Sequence, residues 1–249
     1  MTVRFIGAGP GAADLITVRG ARILGESPVC LYAGSLVPAE LLDLCPDGAQ
    51  IVDTARLSLD EITDLLVSAD RAGRDVARLH SGDPSIYSAV AEQVRRLDEA
   101  GVGYEIVPGV PAFAAAAATL GRELTVPGVS QSIVLTRVST LSTAMPEGED
   151  LATLGASGAT LVIHLAAHRI DQVALELRGP YGGDCPAAVV AFASRPDEIV
   201  LRGTVDSIAA QVHEAGVTKT AVIVVGRVLS AAGFPDSYLY SSTRRRTTH

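Results

Sequence analysis

Apolar residues fall in short, nearly unbroken runs through the first half of the chain, separated by longer amphipathic stretches. Val3 to Ile6, Val29 to Tyr32, Ile51 to Asp53, Val76 to Leu79 and Tyr104 to Val107 read as strands. Their lack of polar alternation is what a sheet covered on both faces requires. Thr17 to Leu24, Leu59 to Arg71 and Ser85 to Ala100 read as helices, with Ile62, Leu65, Leu66 and Ala69 on one face of the second. This alternation predicts a largely parallel sheet with helices on both sides. The pattern restarts after Pro127-Gly128. Ile133 to Leu135, Thr160 to Ile163, Ala187 to Ala193 and Thr220 to Val225 read as strands, Asp171 to Leu177 and Val205 to Ala215 as helices. Ile199 to Leu201 reads as a short antiparallel strand after the turn Arg195-Pro196-Asp197. The expected fold is therefore α/β in two domains, residues 1–121 and 128–249. The first should have a mostly parallel sheet, the second a mixed one, with a ligand cleft between them.

Composition narrows the function classes. The 249 residues are 48% hydrophobic with a mean hydropathy of +0.32, yet no apolar run approaches the ~18 residues of a membrane helix. The N-terminal residues lack the features of a secretory signal, and Cys30, Cys45 and Cys185 are scattered without metal or disulfide spacing. A cytoplasmic protein is expected. A net charge of −8 disfavours a non-specific nucleic-acid binder. Lys219 is the only lysine, so almost every cation is an arginine, the better side chain for bidentate carboxylate binding. Arg244-Arg245-Arg246 is expected to be a disordered tail.

The strand ends carry the unusual residues. Gly7-Ala8-Gly9-Pro10-Gly11 follows the first strand, Ser81-Gly82-Asp83-Pro84 the fourth, and Pro108-Gly109-Val110-Pro111 the fifth. In open α/β sheets these carboxyl ends form the ligand-binding edge. The first loop is badly built for a pyrophosphate: Ala12 stands where a dinucleotide fingerprint wants its third glycine, and Pro10 removes an N–H. A nicotinamide enzyme would also want an acidic residue closing the second strand, and Tyr32-Ala33-Gly34 supplies none. His164 and His168 have the spacing of a metal pair only if both lie on a helix; no third ligand is evident, and no metal is expected.

Taken in order, GAGPG at 7–11, SGDP at 81–84 and VPGVPAFAAAAATLG at 107–121 resemble the tetrapyrrole methylases, class III methyltransferases that use S-adenosylmethionine. The stretches YAGSLV at 32–37, ELTVPGVSQSIVLTR at 123–137 and MPEGEDL at 145–151 look most like the branch that methylates carbon 11 of a corrin precursor. The cobalt-containing form of that substrate, a sibling methylase or diphthine synthase remain alternatives. So does a module that binds the cofactor without turnover. The resemblance implies two α/β domains, a homodimer, a tetrapyrrole substrate, and a cofactor held by backbone and small side chains. Its motifs map the cofactor contacts onto Pro10, Ser81, Gly82, Asp83, Ile86, Pro111, Ala112, Leu165, Ala193 and Ala221, and a substrate trough onto Gly9 and Gly11. Relatives often have Gly-Gly-Asp in place of Ser81-Gly82-Asp83 and a hydroxyl residue near Pro111, which here offers neither hydroxyl nor N–H.

Methyl transfer from a sulfonium needs chiefly alignment. A carboxylate could assist as a base, and Asp83 occupies the place for it; capping the helix expected at Ser85 is its competing role. The acetate and propionate arms of a tetrapyrrole require cations in an otherwise acidic protein. Arg56, Arg122 and Arg137 are the candidates.

Overall fold

The computed structural model describes residues 2–139 and 144–238; the Arg244–Arg246 run lies outside them. The chain divides into two compact units: Met1–Ala115 with Ser194–Pro196, and Ala116–Ala193 with Asp197–His249.

In the first unit β1 (Val3–Gly7), β2 (Val29–Tyr32), β3 (Gln50–Asp53), β4 (Val76–His80) and β5 (Tyr104–Val107) form one parallel sheet in the order β3-β2-β4-β1-β5. Side-chain alternation splits its core. Val3, Phe5, Val29, Leu31 and Val76 pack with residues of α2 (Leu59–Arg71) and α3 (Val90–Ala100), while Ile6, Cys30, Ala77 and Leu79 pack with residues of α1 (Val18–Glu26). Thr17 caps α1 by accepting from the Gly20 N–H, and a Ser58–Glu61 capping box starts α2. Because all five strands run the same way, their loops gather along one edge.

The second unit holds β6 (Ile133–Arg137), β7 (Thr160–His164), β8 (Pro186–Ala191), β9 (Ile199–Thr204) and β10 (Ala221–Val225) in the order β6-β7-β10-β8-β9. β6 and β7 are parallel; the other pairings are antiparallel, giving the mixed sheet expected. Its largest core cluster joins this sheet to α6 (Ile170–Tyr181) and α7 (Ile208–Glu214). The boundary between the units falls within α4 (Ala112–Leu120), and the short α5 (Leu151–Gly155) is capped by Asp150.

Three elements differ from expectation. The helix expected from Ser85 begins at Val90, because Tyr87 and Ala89 adopt left-handed backbone, φ 53° and 49°. The helix expected from Val205 begins at Ile208, since the Ser207 hydroxyl accepts from the Thr204 N–H and closes a turn. α5 was not anticipated; five residues are too few to show a helical period.

Candidate functional site

Three loops of the first unit converge through glycine. Gly9 and Gly82 form an antiparallel bridge, with N–H to carbonyl distances of 3.2 and 2.7 Å. A Cβ on Gly109 would stand 2.3 Å from the Gly82 carbonyl oxygen and 2.7 Å from Gly7 Cα; one on Gly7 would stand 2.5 Å from Gly109 Cα. No other residue permits this approach, so the loops after β1, β4 and β5 meet backbone to backbone. The Ala12 N–H donates to Ser194 Oγ at 2.9 Å, so a residue from the distant 194–196 segment closes the first loop. Pro10 is buried here, while Gly11, Ser81, Ile86, Pro111 and Ala112 are half-buried. The structure thus brings Gly9, Pro10, Gly11, Ser81, Gly82, Asp83, Ile86, Pro111 and Ala112 to one edge.

Asp83 ties this edge together. Its Oδ2 accepts from the Gly109 N–H at 2.8 Å, and its Oδ1 from the Ser85 N–H at 2.8 Å and from the Ser85 hydroxyl. Burial alone would raise its carboxyl pKa, but the bonds from Ser85 and Gly109 outweigh that and hold it below the ordinary range. A carboxylate so stabilised in its charged form is a weak base. Nor does Asp83 cap a helix at Ser85, because α3 starts five residues later; it closes a local turn and bridges to the β5 loop.

Of two buried polar residues of β4, Arg78 escaped the sequence reading, while His80 reads from sequence as structural. Arg78 is 4% exposed, with Nη1 2.9 Å from Thr54 Oγ1 and Nε 3.2 Å from Gln93 Oε1. His80, on the same face, is buried with its Nε2 unpartnered. Burial, reinforced by the Arg78 charge, pushes its pKa down to about 3, so it is neutral at physiological pH. The available signal was a cation inside an otherwise apolar strand, Val76-Ala77-Arg78-Leu79.

In the second unit the strand pairing sets His164 beside both Arg137 and Val222, and Ala191 beside Ala221. Leu165, Ala193 and Ala221 consequently occupy one end of the sheet, with Arg137. The backbone there is strained: Leu165, Phe192 and Thr220 have φ of 55°, 52° and 53°, and Leu165 is 55% exposed.

The arginines are not gathered. Arg56 is exposed in the loop after β3, at the first unit's strand-end edge. Arg137 is half-buried, its Nη1 donating to the Val138 carbonyl at 3.1 Å. Arg122 donates to the Ala231 carbonyl at 3.4 Å, just after β10. That is the opposite end of the second sheet from Arg137, Leu165 and Ala221, so the trio does not form one carboxylate site.

The sequence matches the family described as Tetrapyrrole (Corrin/Porphyrin) Methylases over residues 2–209. It is 80% identical to a precorrin-4 C(11)-methyltransferase of Rhodococcus erythropolis across the full length of both chains. A solved cobalt precorrin-4 methyltransferase superposes with a TM-score of 0.89 at 38% identity, covering 92% of this chain and 95% of its own. A uroporphyrin-III C-methyltransferase of Thermus thermophilus, solved with S-adenosyl homocysteine, superposes at 0.77 with 30% identity, covering 92% and 93%. Family match, full-length identity and fold agree with the strand-end glycine loops: this chain belongs to the tetrapyrrole methylases.

Proposed function

We propose that this protein transfers the methyl group of S-adenosylmethionine to carbon 11 of precorrin-4, giving precorrin-5 in corrin-ring biosynthesis. The observation that carries the reading is the 80% full-length identity to an enzyme named for that step. The metal-free substrate is favoured over its cobalt complex, because the solved relative named for the cobalt form is only 38% identical.

The residues fit the cofactor. A Cβ on Gly82 would stand 3.6 Å from Ala112 N and 3.7 Å from Pro111 Cα, so glycine leaves a notch lined by backbone at the start of α4. Ala114 and Ala115 donate to the Pro111 carbonyl, so the first-turn N–H groups of α4 left to a ligand are those of Ala112 and Phe113. In the second unit, the exposed Leu165 and the small Ala193 and Ala221 offer apolar and backbone surface. S-adenosylmethionine supplies an electrophilic methyl group and a neutral thioether leaving group. In the first unit Pro10, Ser81, Gly82, Asp83, Ile86, Pro111 and Ala112 are the proposed cofactor contacts; in the second, Leu165, Ala193 and Ala221. Gly9 and Gly11 line the substrate trough, and Arg56 and Arg137 meet substrate carboxylates. Asp83 holds the loops in register rather than taking a proton, so catalysis rests on orientation, which can supply roughly 7–11 kcal/mol in favourable cases. A cytoplasmic homodimer completes the proposal; sedimentation of the purified protein tests the assembly.

The decisive experiment mixes the protein with labelled S-adenosylmethionine and a precorrin-4-generating enzyme mixture, then follows label by mass spectrometry. One methyl added to the ring is expected. Cofactor binding without transfer would refute the substrate, and no cofactor binding would refute the whole reading. Arg56→Glu and Arg137→Glu should each raise the substrate KM about tenfold with cofactor affinity held; Arg122→Glu should not.

A further inference from the structure

Arg78 is a buried cation with no carboxylate paired to it among the described residues. An apolar residue would fill the same space without the cost of desolvating a charge, so its presence calls for a physical account. Both of its bonds land on neutral residues that pass a bond onward. Thr54 accepts from Arg78 Nη1 and donates to the Tyr32 carbonyl at 3.0 Å, at the end of β2. Gln93 accepts from Nε and donates through its own Nε2 to the Ala89 carbonyl at 3.0 Å. Ala89 is the left-handed residue that ends the 81–89 loop. The other end of that loop is pinned by the Gly9–Gly82 bridge and by Asp83.

We propose that Arg78 is a positioning residue for the methyl-transfer site. Through Gln93 it locks the end of the loop that carries Gly82, Asp83 and Ile86, and through Thr54 it ties that lock to the neighbouring strand ends. Buried hydrogen bonds of this kind, from Arg78 Nε and Nη1 and onward from Gln93 and Thr54, restrain what they touch. The catalytic part of this inference rests on the methyltransferase reading above; the loop-locking part does not.

The test compares Arg78→Met, Arg78→Lys, Gln93→Leu and the Arg78→Met/Gln93→Leu double variant. Read-outs are amide exchange across residues 82–89 without substrate, melting temperature, and kcat/KM for methyl transfer. Arg78→Met and Gln93→Leu should each speed exchange in the loop about tenfold, while amides of β1 and β5 stay protected. Each should lower kcat/KM about tenfold, and the double variant should be no worse than Arg78→Met, because both act through one chain of bonds. Lysine keeps the charge but lacks the planar fork, so Arg78→Lys should behave like Arg78→Met. Unchanged loop exchange in both single variants, or additive losses in the double variant, would overturn the proposal. So would activity losses that merely follow melting temperature. If Arg78→Met does not fold, Gln93→Leu decides by the same criteria. Failure of the wild type to methylate precorrin-4 would sink the functional reading alone, since loop exchange is measured without substrate.

Discussion

Replacing Gly109 with alanine tests the backbone junction on which the site is built. The backbone of Gly109 is not left-handed, so alanine carries no conformational penalty there and the cost is steric. The new methyl would lie 2.3 Å from the Gly82 carbonyl oxygen, 2.7 Å from Gly7 Cα and 2.9 Å from Gly7 C, and backbone cannot swing aside as a side-chain tip can. Overpacking of this kind costs about 1–3 kcal/mol. Separating the loops also lengthens the 2.8 Å bond from the Gly109 N–H to Asp83, and a bond to a charged group contributes about 1.5–3 kcal/mol. The sum is roughly 3–6 kcal/mol, a fall in melting temperature on the order of 10 °C. Thermal and urea denaturation followed by circular dichroism measures it. Gly179→Ala is the control: apart from its chain neighbours nothing lies within 4 Å of the added Cβ, and because the ring of Pro180 disfavours helical backbone in a preceding residue that carries a Cβ, the helix-propensity gain is opposed and stability should change by less than about 1 kcal/mol. A Gly109→Ala protein melting within about 2 °C of wild type would refute the junction.

Other substitutions probe separate links. Asp83→Asn puts an amide donor against the donors from Ser85 or Gly109 and should cost about 1–3 kcal/mol at neutral pH. Because the Asp83 carboxyl is held below its ordinary range, its stabilisation is present above about pH 3.9 and lost as pH falls through the folded-state value. The variant's acid-unfolding limb should therefore be shallower than that of the wild type, and an equally steep limb would exclude Asp83 from it. Neutral buried His80, with a pKa of about 3 against ~6.5 unfolded, contributes stability in full above about pH 6.5. Below that it loses up to about 1.4 kcal/mol per pH unit, and His80→Leu should flatten the loss in denaturation series between about pH 6.5 and 4. Ser58→Ala breaks the α2 capping box and should cost about 1 kcal/mol in urea denaturation, without changing methyl transfer.

The alternation of apolar runs and amphipathic stretches by itself determined an α/β protein. Unbroken strands such as Val29 to Tyr32 announced a sheet buried on both faces. Pro10 and Ala12 by their identity alone make the first loop a poor dinucleotide site. Local pattern reports how each residue meets solvent, and these features are local. Which loops touch is set by strand order and register. Only the order β3-β2-β4-β1-β5 brings Gly7, Gly82 and Gly109 into contact and gives Asp83 a partner 26 residues away. The same holds for Ser194, which reaches Ala12 across 182 residues, and for Arg122 and Arg137, which sit at opposite ends of the second sheet. Arg78 shows the division within a single residue. Its charge in an apolar strand was readable, but the bonds to Thr54 and Gln93 that give the charge a purpose exist only where β3, β4 and α3 meet.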